Sequence, residues 1–247
     1  YNTNYIQCCG LGTATDSLLA LKKHVFEDRR YEMDQVLTAV AENFAGNEVM
    51  RQVILNKTPF YGNNLEYADT VAVGLYDDLV DLIDGQPNIK EGGKYHLNML
   101  STTCHVYFGK VMGATPNGRL AHKSISDGTS PTHGADRRGP SAVIQSLGKL
   151  DQTKSGGTLL NLRFLPSLVK RDEDIRKLGS LIRSYFVMGG HHVQFNIVDT
   201  ATLRAAQRNP QDYKDLLVRM AGYSDYFNDM NGDLQQEVID RTENAAV

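Results

Sequence analysis

The chain has 247 residues, 41% of them hydrophobic, enough for one large core or two smaller ones. Its 26 basic and 29 acidic residues leave a net charge of -3, and Lys and Arg gather into no extended stripe, which argues against a nucleic-acid surface. No run reaches the roughly 18 apolar residues that a membrane span needs, and no basic-then-apolar leader opens the chain, so a cytoplasmic protein is expected.

Tyr1 to Gly12 mixes β-formers with polar residues and ends in Gly-Leu-Gly, which predicts a short strand or extended loop running into a helix. Thr13 followed by Asp16 resembles a capping start, with an apolar stripe of Leu18, Leu21, Val25 and Phe26 behind it. A second helix is predicted from about Met33 to Phe44 and a shorter third from Glu48 to Leu55. Thr58 to Asn64, with Pro59 and Gly62, reads as a loop. Glu66 to Ile83 reads as a long helix whose core face is Val71, Leu75, Leu79 and Leu82. From Asn88 to Gly157 glycine and proline recur every few residues and helical periodicity fades. The anchors Val106, Tyr107, Phe108, Leu120, Val143, Ile144 and Leu147 still favour long ordered loops over a linker.

Thr158 to Leu165 reads as a buried strand and Asp172 to Met188 as a helix. His191 to Val198 alternates cleanly, with His192, Gln194 and Asn196 on one face and Val193, Phe195 and Ile197 on the other. If the polar face is buried, its side chains need partners and hold a neighbouring loop or a substrate; otherwise it is a wet face. Helical pieces flank Pro210, Leu216 to Met220 is an apolar run of strand character, and a last helix runs from about Asp233 to Arg241.

The chemistry-bearing residues are sparse. Cys8, Cys9 and Cys104 make an odd count with no C-x-x-C, so reduced thiols are expected. His191 and His192 are adjacent rather than one helical turn apart and no H-E-x-x-H occurs, so no metal site is expected. Gly10-Leu11-Gly12 matches neither phosphate-loop pattern. Arg119, Asp127, Asp136 and Arg138 form either a buried net that fixes the central loops or a wet surface. Gly222, between Ala221 and Tyr223, permits a positive φ. A glycine α-carbon also carries two hydrogens and no side-chain crowding. Loss of one hydrogen atom gives a planar radical delocalised over both flanking amides.

Around that residue, V-R-M-A-G-Y-S-D-Y-F resembles the radical loop of the glycyl radical enzymes, with Met220 where the family usually carries valine, isoleucine or threonine. Further blocks are similar to that family: Tyr1 to Glu27, A-T-P-N-G-R-L-A (Ala114 to Ala121), S-D-G-T-S-P (Ser126 to Pro131), G-P-S-A-V-I-Q-S (Gly139 to Ser146) and H-V-Q-F-N (His192 to Asn196). The resemblance implies an α/β fold, the C-terminal half of a ten-stranded barrel with the radical-bearing hairpin loop. Residues 1–185 would be barrel and 186–247 the glycyl radical domain. It implies Gly222 as the catalytic site, Arg219, Ala221 and Tyr223 as support in the radical loop, and His192, Gln194 and Asn196 as support from the barrel interior.

No cofactor is expected to be bound. The radical would be installed by an activating enzyme that uses an iron–sulfur cluster and S-adenosylmethionine. None of the three cysteines lies in the G-C-x-E stretch that carries the thiyl in the dehydratase and lyase branch. That cysteine is therefore expected before Tyr1 or on a partner chain, with the present chain inactive alone and a homodimer as a candidate assembly. S-D-G-T-S-P-T-H-G-A-D and S-G-G-T-L-L-N lean toward dehydratases of a small hydroxylated substrate, the branch of trans-4-hydroxyproline and glycerol dehydratases, in an anaerobic setting. Arylacetate decarboxylases, C–N or C–S lyases and a noncatalytic spare part for a damaged enzyme are the alternatives.

Overall fold

Strand β1 (Thr3–Gln7) lies parallel to β2 (Lys94–Asn98), with Thr3 opposite Lys94 and Gln7 opposite Asn98. The structure is a computed structural model that describes residues 2–245; Tyr1 lies outside them. Between the two strands run helices α1 (Leu11–Leu21), α2 (Met33–Ala41), α3 (Glu48–Lys57) and α4 (Glu66–Ile83). The connection has the length and helical content that a parallel pair requires. After β2 come α5 (Cys104–Val111) and α6 (Pro140–Leu147), then strand β3 (Leu160–Phe164), helix α7 (Asp172–Val187) and strand β4 (Val193–Ile197). The remainder is α8 (Thr200–Arg208), the hairpin strands β5 (Leu217–Arg219) and β6 (Ser224–Tyr226), α9 (Gly232–Asp240) and the two-residue strand β7 (Glu243–Asn244).

The expected half-barrel is not what the chain forms. Among the described residues the strands fall into three separate sheets, β1-β2, β4-β3-β7 and β5-β6, and no closed barrel exists. Closure requires an unbroken ladder of tilted strands. Here helices and loops intervene between short strands, and the central sheet pairs β4 and β7 in parallel on either side of β3.

Several local expectations also differ. The capping start at Thr13 and Asp16 is absent: α1 begins at Leu11, and Asp16 is buried, its Oδ1 accepting from the Tyr61 amide at 2.9 Å. Burial pushes its carboxyl up to about 7. Lys22–Glu27 widens into a π-helical turn, and of the expected stripe Leu18 in α1 and Phe26 in that turn are exposed. In α4 the bounds hold but the fully buried face is Ala68, Ala72 and Tyr76, with Leu82 71% exposed. Ala72 packs in the core of Tyr61, Val143 and Leu147, while Tyr76 packs with Leu11 of α1, so small size as well as hydropathy selects the inner face.

Two cores underlie the C-terminal half. Val143, Ile144 and Leu147 from α6 pack with Leu160, Leu162 and Phe164 from β3 and Tyr185 from α7. Val198, Val218, Met220, Phe227, Val238 and Ile239 form a second core beneath the hairpin. The loop Ser126–Pro131 runs between β3 and the start of α5. At Gly128 a Cβ would stand 2.8 Å from both the Leu159 and Met99 carbonyl oxygens, on a backbone with φ of +50°. Gly128→Ala is expected to cost about 2–5 kcal/mol, the sum of left-handed strain and overpacking. Urea denaturation measures it, and an unchanged midpoint would show that this loop is not pinned.

Candidate functional site

The hairpin β5-β6 is registered Leu217 with Tyr226, Val218 with Asp225 and Arg219 with Ser224. The Met220 amide donates to the Tyr223 carbonyl at 2.9 Å, closing a two-residue turn on Ala221 and Gly222. Gly222 has φ of +82°, the left-handed value that the third position of a type II turn demands. A Cβ built there would meet nothing within 4 Å. The glycine is thus required by backbone conformation and by no packing neighbour. Its backbone is exposed at the tip, while Ala221 beside it is buried and Tyr223 half-exposed.

What holds the turn comes from β4, whose alternation aims Gln194 and Asn196 at the hairpin; they are 5% and 4% exposed. Asn196 Nδ2 donates to the Arg219 carbonyl at 2.8 Å and its Oδ1 accepts from the Arg219 amide at 2.7 Å. One side-chain amide thereby imitates a strand partner. Gln194 does the same a step further on: its Nε2 donates to the Met220 carbonyl and its Oε1 accepts from the Gly222 amide at 3.1 Å. The polar face is therefore buried and partnered rather than wet. His192, two residues earlier, is half-buried, and burial followed by the charge of Arg219 lowers its ring pKa.

A polar ring continues beneath the clamp. Parallel pairing sets Asn161 of β3 opposite Gln194, whose Nε2 also donates to Asn161 Oδ1. Asn161 Nδ2 donates to Asp127, which also accepts from Ser101 Oγ. His105 Nδ1 lies 3.8 Å from Asp127 and its Nε2 lies 3.3 Å from Glu237, and the ring is fully buried. Glu237 receives Arg241 Nε and Nη2 at 2.9 Å each, and Arg241 Nη1 reaches the Arg219 carbonyl at 3.3 Å, closing the ring on the hairpin. Arg163, also buried, donates to the Ile239 and Arg241 carbonyls at 3.2 Å each, so the C-terminal end of α9 is tied to β3.

Desolvation raises the Glu237 carboxyl, but the charge of Arg241 and the bonds from His105 and His133 outweigh it and hold it well below the usual carboxylate range. Desolvation likewise lowers His105, and the Glu237 hydrogen bond, its charge and that of Asp127 reverse this to a net upward shift.

Of the residues expected at the site, Gln194, Asn196, Arg219, Ala221, Gly222 and Tyr223 meet in one place. Arg219 takes part through its backbone more than its guanidinium, whose one hydrogen-bond partner among the described residues is Ser224 Oγ at 3.4 Å. The suspected central net divides. Asp127 joins the ring, Arg119 donates instead to the Leu120 carbonyl at 3.1 Å, Asp136 accepts from Thr242, and Arg138 is exposed. Asn161, His105, Glu237 and Arg241 are not legible in the sequence, because partners as distant along the chain as His105 and Glu237 share no signal beyond the polar face of β4. All three cysteines are free thiols. Cys9 is pushed up to about 12, by burial first and then by Cys104, Cys8 and Asp127, the opposite of an ionised nucleophile. Among the described residues no group of three or more His, Cys, Asp or Glu side chains could hold a metal, and no helix is long and apolar enough to cross a membrane.

Comparison with known proteins places this geometry. Residues 125–228 match the Glycine radical family and residues 1–109 the Pyruvate formate lyase-like family. The chain therefore carries both kinds of region, and the expectation of a C-terminal half alone is corrected. It is 51% identical over 243 residues to trans-4-hydroxy-L-proline dehydratase of Clostridioides difficile, covering 98% of this chain and 31% of that enzyme. To isethionate sulfite-lyase of Oleidesulfovibrio alaskensis it is 44% identical over 253 residues, covering 100% of this chain and 30% of that enzyme. The crystal structure of the Clostridioides difficile hydroxyproline dehydratase with trans-4-hydroxy-L-proline bound superposes with a TM-score of 0.96 at 50% identity, over 99% of this chain and 31% of that one. The chain thus spans under a third of the length of these relatives. With a glycine-tipped hairpin inside the matched radical region and likeness along nearly its whole length, this chain belongs to the glycyl radical enzymes, in the dehydratase and lyase branch.

Proposed function

We propose that Gly222 carries an organic radical and that this chain is the radical-bearing part of a lyase that dehydrates a small hydroxylated substrate. The supporting observation is the turn itself. A glycine sits at its tip with nothing within 4 Å of where a side chain would begin, while four carbonyl and amide groups around it are fixed by Gln194 and Asn196. Such a turn presents a C–H bond for hydrogen-atom removal. Residues 186–247 would act as the radical domain, with Arg219, Ala221 and Tyr223 supporting the loop.

An activating enzyme with an iron–sulfur cluster and S-adenosylmethionine would remove one hydrogen atom from Gly222. The glycyl radical then takes a hydrogen atom from the thiol of a G-C-x-E stretch, which residues 1–247 do not contain, and the thiyl takes one from substrate. Each transfer breaks one bond to hydrogen and forms another, so no net oxidant is consumed after activation. Near-contact geometry is what makes such transfers fast. Dehydration is favoured over C–S cleavage because identity to the hydroxyproline dehydratase, 51%, exceeds that to the isethionate lyase, 44%.

The test uses the full-length protein, activated without oxygen. A radical with one remaining α-hydrogen gives a doublet in electron paramagnetic resonance. Admitting air should then cleave the backbone at Gly222, seen as a truncated polypeptide by intact mass, and trans-4-hydroxy-L-proline should be consumed only before air is admitted. A doublet without turnover of that substrate, but with sulfite release from isethionate, would move the reading to C–S cleavage. Absence of both doublet and air-dependent scission would sink it.

A further inference from the structure

We propose that Asp127 is a positioning residue for the Gly222 amide nitrogen, acting at a distance through Asn161 and Gln194. The proposal rests on the reading of Gly222 as the radical site. Its basis is the direction of the hydrogen bonds. A carboxylate accepts and does not donate, whereas a side-chain amide has one accepting and one donating end. Asp127 takes the Asn161 Nδ2 group, which turns Asn161 Oδ1 toward Gln194. Gln194 must answer with its own donating end, and the second hydrogen of that nitrogen meets the Met220 carbonyl. Its Oε1 is then the only end left for the Gly222 N–H, 3.1 Å away.

Reversing either amide would set oxygen against oxygen, first at Asp127 and then at the Met220 carbonyl. All the side chains concerned are buried or nearly so, so water cannot absorb the error cheaply. Asp127 is itself fixed by Ser101 Oγ and faces His105 Nδ1 at 3.8 Å. An acceptor-only group thus sets two amides in series, and the polarity ends on the nitrogen beside the radical carbon. That end matters electronically. An acceptor on the N–H raises electron density on the amide nitrogen, which feeds the electron-poor α-carbon once the centre flattens.

The experiment compares activated full-length wild type with Asp127→Asn and Asn161→Leu, by electron–nuclear double resonance of the exchangeable Gly222 amide proton in deuterated and ordinary water. Wild type should show one well-defined exchangeable coupling. Asp127→Asn supplies a donor where only an acceptor stood and frees Asn161 to reverse, so that its oxygen no longer has to answer Gln194; the amide coupling should change, and the anaerobic half-life of the radical should shorten about two- to tenfold, the weight of one hydrogen bond. Asn161→Leu, which keeps the branching and heavy-atom count of asparagine, cuts the relay without touching Asp127, and should give the same change if Asp127→Asn fails to fold. A doublet whose amide coupling and half-life match wild type in a folded variant overturns the relay while leaving the site reading intact. A wild-type protein with no doublet at all overturns both.

Discussion

Gly222→Ala is expected to abolish the glycyl doublet and bring turnover of the activated full-length enzyme to background, at a stability cost of only about 1–2 kcal/mol. The two halves of that expectation have separate causes. Stability falls because φ of +82° is a backbone conformation that an L side chain rarely adopts; with nothing within 4 Å of the added Cβ, no packing penalty is added. The radical is lost because a methyl group on the α-carbon presses against a flanking carbonyl when the centre flattens, opposing delocalisation. It also replaces one of the two α-hydrogens. Paramagnetic resonance after activation, set beside a urea titration of the unactivated protein, separates the two effects. An alanine variant that keeps a radical of wild-type intensity would remove Gly222 from the mechanism.

The largest effect on stability is expected from Glu237→Gln. The carboxylate is buried between Arg241, at 2.9 Å twice, and the His105 ring at 3.3 Å, so its loss leaves Arg241 without its hydrogen-bonded counter-charge. Breaking one partner of such a group costs about 3–5 kcal/mol, far more than an exposed pair. The pH dependence has two flanks. Glu237, held low, contributes stability that is present above its ordinary value of about 4.5 and is lost as pH falls through its folded value. His105, held high, contributes stability that is complete below its ordinary value of about 6.5 and is lost as pH rises through its folded value. Wild type should therefore be most stable between these limits, and Glu237→Gln should flatten both flanks. Urea midpoints taken from acid to mildly alkaline pH measure this; equal midpoints for the two proteins between the flanks would contradict it.

What could be read in advance divides along physical lines. The bounds of α4, the helix at α7 and the alternation of β4 were legible because each is a local periodic pattern. Gly222 and its flanks were legible because one conformational demand and one family resemblance meet at the same residue. The inner face of α4 was misjudged because Ala68 and Ala72 win burial by small size, which hydropathy does not weigh. Helices α5 and α6 were passed over because glycine and proline crowd the segment around them, although Pro140 stands at the first turn of α6, where proline is favoured. The barrel was carried over from resemblance and had no strand ladder of this chain behind it. The ring through Asp127, His105, Glu237 and Arg241 depends on tertiary approach alone. Only the parallel register of β3 and β4 brings Asn161 to Gln194, and no residue pattern states that register.

The attachment of the hairpin to β4 has a kinetic consequence. β5 and β6 share a ladder with each other, but the bonds described between that pair and β4 are made by Asn196 and Gln194 side chains, not by main-chain pairing. Releasing the hairpin from β4 would exchange these amide contacts for water and leave both neighbouring ladders whole, while Val218, Met220 and Phe227 must either leave the apolar core they share with Val238 and Ile239 or carry it with them. Lifting β7 from β3, by contrast, means tearing main-chain bonds. The glycine-bearing tip is held to β4 like a plug in a socket rather than a thread in a weave, so that reseating it there requires no strand to find its register again.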